Sequence, residues 1–152
     1  MRTTRRWVPT LVGAVAMAAL SGNAHADSAD NKALVKKALT ELFVNKDATA
    51  LDRYWGDSYT QHNPGIPNGR EALVPLVKNL GPDFKYEMGM IVADGDIVMV
   101  HSRYQGWSPK PLIAVDIFRV KDGKIVEHWD VLQPETAAGE TKSGNPMFSP
   151  SE

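Results

Sequence analysis

Residues 114–133 read AVDIFRVKDGKIVEHWDVLQ. Two runs rich in β-branched and aromatic residues flank Lys121-Asp122-Gly123-Lys124, and Asp-Gly between such runs is a strong hairpin signal. Among the apolar residues sit Asp116, His128 and Asp130, although a strand interior holds charge only at a cost. The turn decides where these three point. A two-residue loop pairs Lys121 with Lys124 and puts Asp116 on one face with Glu127 and Trp129. A three-residue loop with Gly123 left-handed pairs Val120 with Lys124, sets Asp116 opposite His128 and projects Asp130 on the same face. Both registers are allowed. The second is favoured, because it gathers Arg119, Lys121 and Glu127 outside, with Trp129 beside them. The inner face then holds Asp116, Phe118, Val120, Val126, His128, Asp130 and Leu132.

Outward from the hairpin, residues 84–92, 97–104, 112–120 and 125–132 read as four strands, and Asp94-Gly95 marks a second tight turn. Residues 106–111 form a longer rim loop. Before the strands, Leu34, Val35, Ala38, Leu39, Leu42 and Phe43 make the apolar stripe of a helix over 30–44, with Lys32, Lys36 and Lys37 facing away. Asp47 is placed to cap a short second helix carrying Leu51, Tyr54 and Trp55. Residues 59–69 are dense in Pro, Gly and Asn and read as a loop. A third helix is expected over 68–80, kinked or starting late because Pro75 lacks an N–H.

Three helices followed by an antiparallel meander make an α+β domain over 30–133. Its economical packing is a cone, a curved antiparallel sheet wrapped around the N-terminal helices with an open mouth and one pocket. Residues 134–152, rich in Thr, Gly, Glu, Ser, Asn and Pro, form a flexible or surface-draped tail with Met147 and Phe148 as anchors.

The first 26 residues have a different character. Arg2, Arg5 and Arg6 precede an apolar run from Val8 to Leu20, too short to span a bilayer, and Ala24-His25-Ala26 follows as an A-x-A cleavage site. This order predicts a signal peptide cleaved after Ala26, and a periplasmic or secreted domain. Cleavage removes three arginines and no acid, taking the net charge from −1 to −4. No basic patch remains for nucleic acid and no apolar span for a membrane. The chain has no cysteine, so disulfides and thiolate zinc sites are excluded.

An inward carboxylate among apolar walls is a stronger base than in water, which suits acid–base chemistry. Asp130, Asp116 and His101 are the catalytic candidates, and His62, His128, Phe118, Tyr104 and Trp55 the candidates to line a ligand pocket. A structural alternative pairs Asp116 or Asp130 with His128, His101 or Arg103. No two histidines stand at H-x-H or H-E-x-x-H spacing, so no metal is expected. No phosphate-cradling glycine motif or nucleophile elbow is present.

The segments YTQHNPGIPNGREAL (59–73), VMVHSRYQG (98–106) and DIFRVKDGKIVEHWDVLQ (116–133) occur in this order. Together they resemble the SnoaL-like polyketide cyclase family, within the nuclear transport factor two-like superfamily of α+β cones. The resemblance covers about residues 32–133. It implies a cone-shaped cavity, a homodimer through the sheet, and cofactor-free intramolecular aldol chemistry with a pocket aspartate as acid/base. Residue by residue, Asp130 matches that aspartate, Asp116 a polar pocket position, and His62 and His101 the QHNP and VHS positions. The implied ligand is a small apolar molecule. Two functions follow: proton transfer beside a carbonyl, with Asp130 as base and Asp116 and His101 steadying the enolate, or non-catalytic binding of a hydrophobic ligand in the same cavity.

Overall fold

A computed structural model describes residues 21–150; the signal-like segment ahead of residue 21 lies outside the described residues. Helix α1 spans Ser21–Leu39 and widens without interruption into a π-helical turn, Thr40–Val44, closed by the Asn45 N–H donating to the Thr40 carbonyl at 2.9 Å. A short helix α2 follows at Ala50–Tyr54. Asp47 stands just ahead of it and accepts from the Thr49 N–H at 2.9 Å and the Thr49 hydroxyl at 2.6 Å, so it organises the entry turn. Strand β1, Trp55–Gln61, begins at once, and a 3₁₀ turn at Arg70–Ala72 leads into α3, Leu73–Lys78. Pro75 sits in the first turn of α3, where its missing N–H has no helical acceptor to serve. The late start is the outcome here.

Four strands complete the domain: β2, Lys85–Asp94; β3, Ile97–Gln105; β4, Leu112–Lys121; and β5, Lys124–Pro134. The sheet order is β1-β5-β4-β3-β2. Neighbours from β2 to β5 are antiparallel, but β1 pairs with β5 in parallel. The expected four-stranded antiparallel sheet is therefore a mixed sheet of five. Trp55, assigned from sequence to a helix face, and Tyr59 to Gln61, assigned to a loop, belong to its edge strand. The core lies between the helices and the inner sheet face, joining Val35, Leu39 and Leu42 to Val98, Val100, Phe118 and Ile125.

The hairpin resolves in a way that neither simple register anticipates. Asp122 and Gly123 both take left-handed φ, 51° and 71°, in a two-residue turn that pairs Lys121 with Lys124. The favoured three-residue loop is thus incorrect. The ladder then slips: Val120 pairs with Ile125, but Arg119 pairs with Glu127, leaving Val126 as the extra residue of a bulge. Beyond it Phe118 lies opposite His128 and Asp116 opposite Asp130. The bulge restores the inner face that the tight turn alone would have reversed.

After β5 the chain returns over the outer sheet face. Glu135 pairs with Arg103 at 2.7 Å, and the Thr136 N–H donates to the Met147 sulfur at 3.2 Å. Phe148 is buried against His101, with ring centroids 5.5 Å apart, beside Gly89 of β2.

Candidate active site

Strands β4 and β5 place two carboxylates and an imidazole side by side. One ligand-type atom from each of Asp116, His128 and Asp130 lies within 4.8 Å of the others. Asp116 is 2 % exposed. Ser102 Oγ donates to its Oδ2 at 2.5 Å, the Tyr104 hydroxyl lies 3.1 Å from both oxygens, and His128 Nε2 is 3.5 Å from Oδ1. Alternation along β3 makes this possible, since Ser102 and Tyr104 point inward while His101 and Arg103 between and beside them point out. Burial, followed by the charge of Asp116, pushes the Tyr104 hydroxyl well above its ordinary pKa, so it stays a proton donor to that carboxylate.

The opposite wall comes from the edge strand and the loop beyond it. The His62 N–H donates to the His128 carbonyl at 2.9 Å, which continues the β1–β5 ladder past Gln61. Residues 61 and 63 consequently face inward and residue 62 outward. Gln61 Oε1 lies 2.9 Å from His128 Nδ1, and Asn63 Nδ2 donates to Asp130 Oδ2 at 2.6 Å. The Asn63 amide is itself oriented, because its Oδ1 accepts the Gly65 N–H at 2.7 Å. Tyr59 accepts from Gln61 Nε2 at 3.0 Å. Burial raises the Tyr59 pKa, and the charges of Asp130 and Asp116 add to the shift. The Trp55 indole N–H is close enough to Tyr59 to interact but makes no hydrogen bond among the described residues.

These groups line a cavity of about 260 Å³ whose remaining walls are apolar, among them Leu39, Leu42, Leu73, Leu76 and Phe118. Of the residues singled out from sequence, Asp116, Asp130, His128, Phe118, Tyr104 and Trp55 line it. His62 and His101 do not. His62 stacks on Trp129 at 4.8 Å with the rings 3° from parallel, and its Nε2 is 2.9 Å from Glu127 Oε1. That hydrogen bond, with the Arg119 guanidinium second, holds Glu127 below the usual carboxylate range. His101 lies on the outer face against Phe148 and cannot steady an enolate formed in the cavity.

Gln61, Asn63, Tyr59 and Ser102 are site residues that sequence reading missed. Attention to the histidine of QHNP passed over its two neighbours, and the available signal was strand alternation running through Tyr59, Gln61 and Asn63. The Asp116, His128 and Asp130 group, which strand alternation gathered on one face, fits no histidine-pair spacing because Asp116 joins the other two from the neighbouring strand.

A family model described as a SnoaL-like domain matches residues 35–128. Among curated proteins none matches the sequence. Solved structures do. A provisionally named ketosteroid isomerase from Kribbella flavida DSM 17836 superposes with a TM-score of 0.63 at 16% identity, covering 83% of this chain and 94% of that one. An LEH-like epoxide hydrolase from M. tuberculosis gives 0.57 at 21% identity, with coverage of 70% and 84%. A provisionally named polyketide cyclase from Bacillus cereus ATCC 10987 gives 0.59 at 22% identity, with coverage of 68% and 74%. At these identities the likeness is one of fold. With the family match across most of the cone, the chain belongs to the SnoaL-like domain family.

Proposed function

We propose that this is an exported SnoaL-like enzyme that moves a proton beside the carbonyl of a small, mostly apolar molecule, without a cofactor, in an aldol-type or isomerase reaction. The observation that carries the reading is the position of Asp130 in a largely apolar cavity, half-buried, with Asn63 donating to its Oδ2 and no other donor to it among the described residues. Asp116 is unsuited to the base role because protein donors occupy both of its oxygens. Its part is to anchor β3 to β4 and fix the field beneath the base.

Removing a proton beside a carbonyl builds negative charge on oxygen, which needs donors that are already aimed. Two residues of the same cavity carry donors: Trp55, whose buried indole N–H has no hydrogen-bond partner among the described residues, and Tyr59, whose hydroxyl is held by Gln61. Together they take the place assigned from sequence to His101. The apolar walls select the rest of the substrate.

Deuterium uptake from D₂O into a panel of small cyclic ketones tests the reading. Catalysed exchange should fall roughly 10²- to 10⁴-fold in Asp130→Asn. If the wild type does not accelerate exchange in any ketone while the cavity binds these compounds, the protein is instead a non-catalytic binding module.

A further inference from the structure

We infer that Asp116, His128 and Asp130 form a binding site for one divalent metal ion of the zinc type. The argument begins at Gln61. Its Oε1 accepts the Asn63 backbone N–H at 2.9 Å, which identifies that end of the amide as oxygen. An oxygen only accepts, so His128 Nδ1, 2.9 Å away, carries a hydrogen. Nε2 is then the ring atom free to ligate, and the atom facing it at 3.5 Å is Asp116 Oδ1. His128 is 7 % exposed and Asp116 2 %, so water does not separate them freely. A buried imidazole nitrogen and a buried carboxylate oxygen held face to face, with a second carboxylate beside them, suit a cation between them.

The tethering of the three side chains suits a metal. Each is gripped from outside the cluster: His128 by Gln61, Asp116 by Ser102 and Tyr104, and Asp130 by Asn63. Each keeps an atom turned toward the other two. Oriented outer partners of this kind fix the direction and basicity of metal ligands. Zinc bonds of about 2.0–2.2 Å to nitrogen and oxygen set neighbouring ligands roughly 3.5 Å apart in a tetrahedron. The Asp116 and His128 pair already has that spacing, and Asp130 has a ligand atom within 4.8 Å of both, so binding requires it to move inward by roughly 1 Å. One imidazole and two carboxylates carry charge −2, which a divalent ion balances. Three protein ligands leave a fourth position open, and here it opens into the cavity.

This inference does not rest on the acid–base reading, which describes the metal-free chain and gives way at Asp130 when the ion is bound, and its test reads binding rather than turnover. The full chain, stripped with a chelator and dialysed, is titrated with zinc chloride at pH 7 by calorimetry. One ion should bind per chain, with affinity reduced at least 100-fold in Asp130→Asn and in His128→Gln and unchanged in His62→Gln and His101→Gln. Should His128→Gln fail to fold, Asp130→Asn carries the comparison. In ¹⁵N spectra the His128 Nε2 signal should shift on zinc addition while Nδ1 keeps its proton. A His128 ring protonated on both nitrogens at pH 7 and indifferent to zinc would overturn the proposal, since a proton then supplies the missing cation. So would zinc binding that survives Asp130→Asn but is lost in His62→Gln, which would place the ion at the exposed edge.

Discussion

Asp116 and Asp130 are cross-strand neighbours, yet their surroundings give them opposite sensitivities to substitution. Both oxygens of Asp116 accept from buried donors, so Asp116→Asn turns an amide N–H toward Ser102 or Tyr104 and should cost about 1–3 kcal/mol. Asp130 meets only Asn63, and an asparagine there can still present an oxygen to it, so Asp130→Asn should cost less than about 1 kcal/mol. Urea unfolding of the two variants at pH 7 compares them directly. If Asp130→Asn proves the costlier, its main role is to hold the sheet, and the base assignment fails. At this scale the sequence was readable where residue type and strand alternation agreed, as for Asp116, His128 and Asp130. It misled where a histidine drew attention for its chemistry alone. His62 and His101 sit on strand or near-strand positions of the opposite parity to the cavity, and their neighbours Gln61, Asn63 and Ser102 carry the contacts.

Among the elements, β1 and the β5 bulge decide whether a site exists. Trp55, Tyr59 and Thr60 are good strand formers, but Gly56, Asp57 and Ser58 interrupt them, and the partner strand is distant in the chain. Local pattern therefore gives β1 no support, and only the docked β5 does. The bulge at Val126 has no sequence marker either, since Asp122-Gly123 is equally at home in an unbulged hairpin. The helices and the four antiparallel strands were legible because their apolar periodicity is local. A second glycine shows how the tail is held. A Cβ on Gly89 would come within 2.6 Å of the Ser149 carbonyl oxygen and 3.0 Å of the Phe148 ring. Gly89→Ala should dislodge residues 147–150 while leaving the cone folded. Amide exchange would then accelerate at least tenfold in that segment and stay unchanged in β4 and β5. Equal exchange in both proteins would show that the tail is not seated through this notch.

For the molecule as a whole, the outer sheet face bears Met99, Val115 and Val131, with Val131 69 % exposed, and Val115 and Val131 are direct cross-strand partners. We propose that this face pairs two copies of the chain, beside the strip that the tail already covers. Light scattering at micromolar concentration should give twice the chain mass, and Val131→Lys should give the single-chain mass. A wild type that remains a monomer would refute the pairing. The charge and apolar order of the first residues supports export, for which intact-mass measurement in a bacterial host should find a chain beginning at Asp27. Retention of Met1 in the cytoplasm would argue against it.

The last strand of the chain, β5, lies between the first, β1, and β4. During synthesis from the N-terminus, β1 therefore waits without a ladder, and Asp116 waits without the carboxylate and imidazole that will face it, until nearly the whole cone has been made. Insertion of β5 closes sheet, cavity and site in one late event, of the non-local kind that slows folding. His128 and Asp130 arrive together, on the same strand that seats β1.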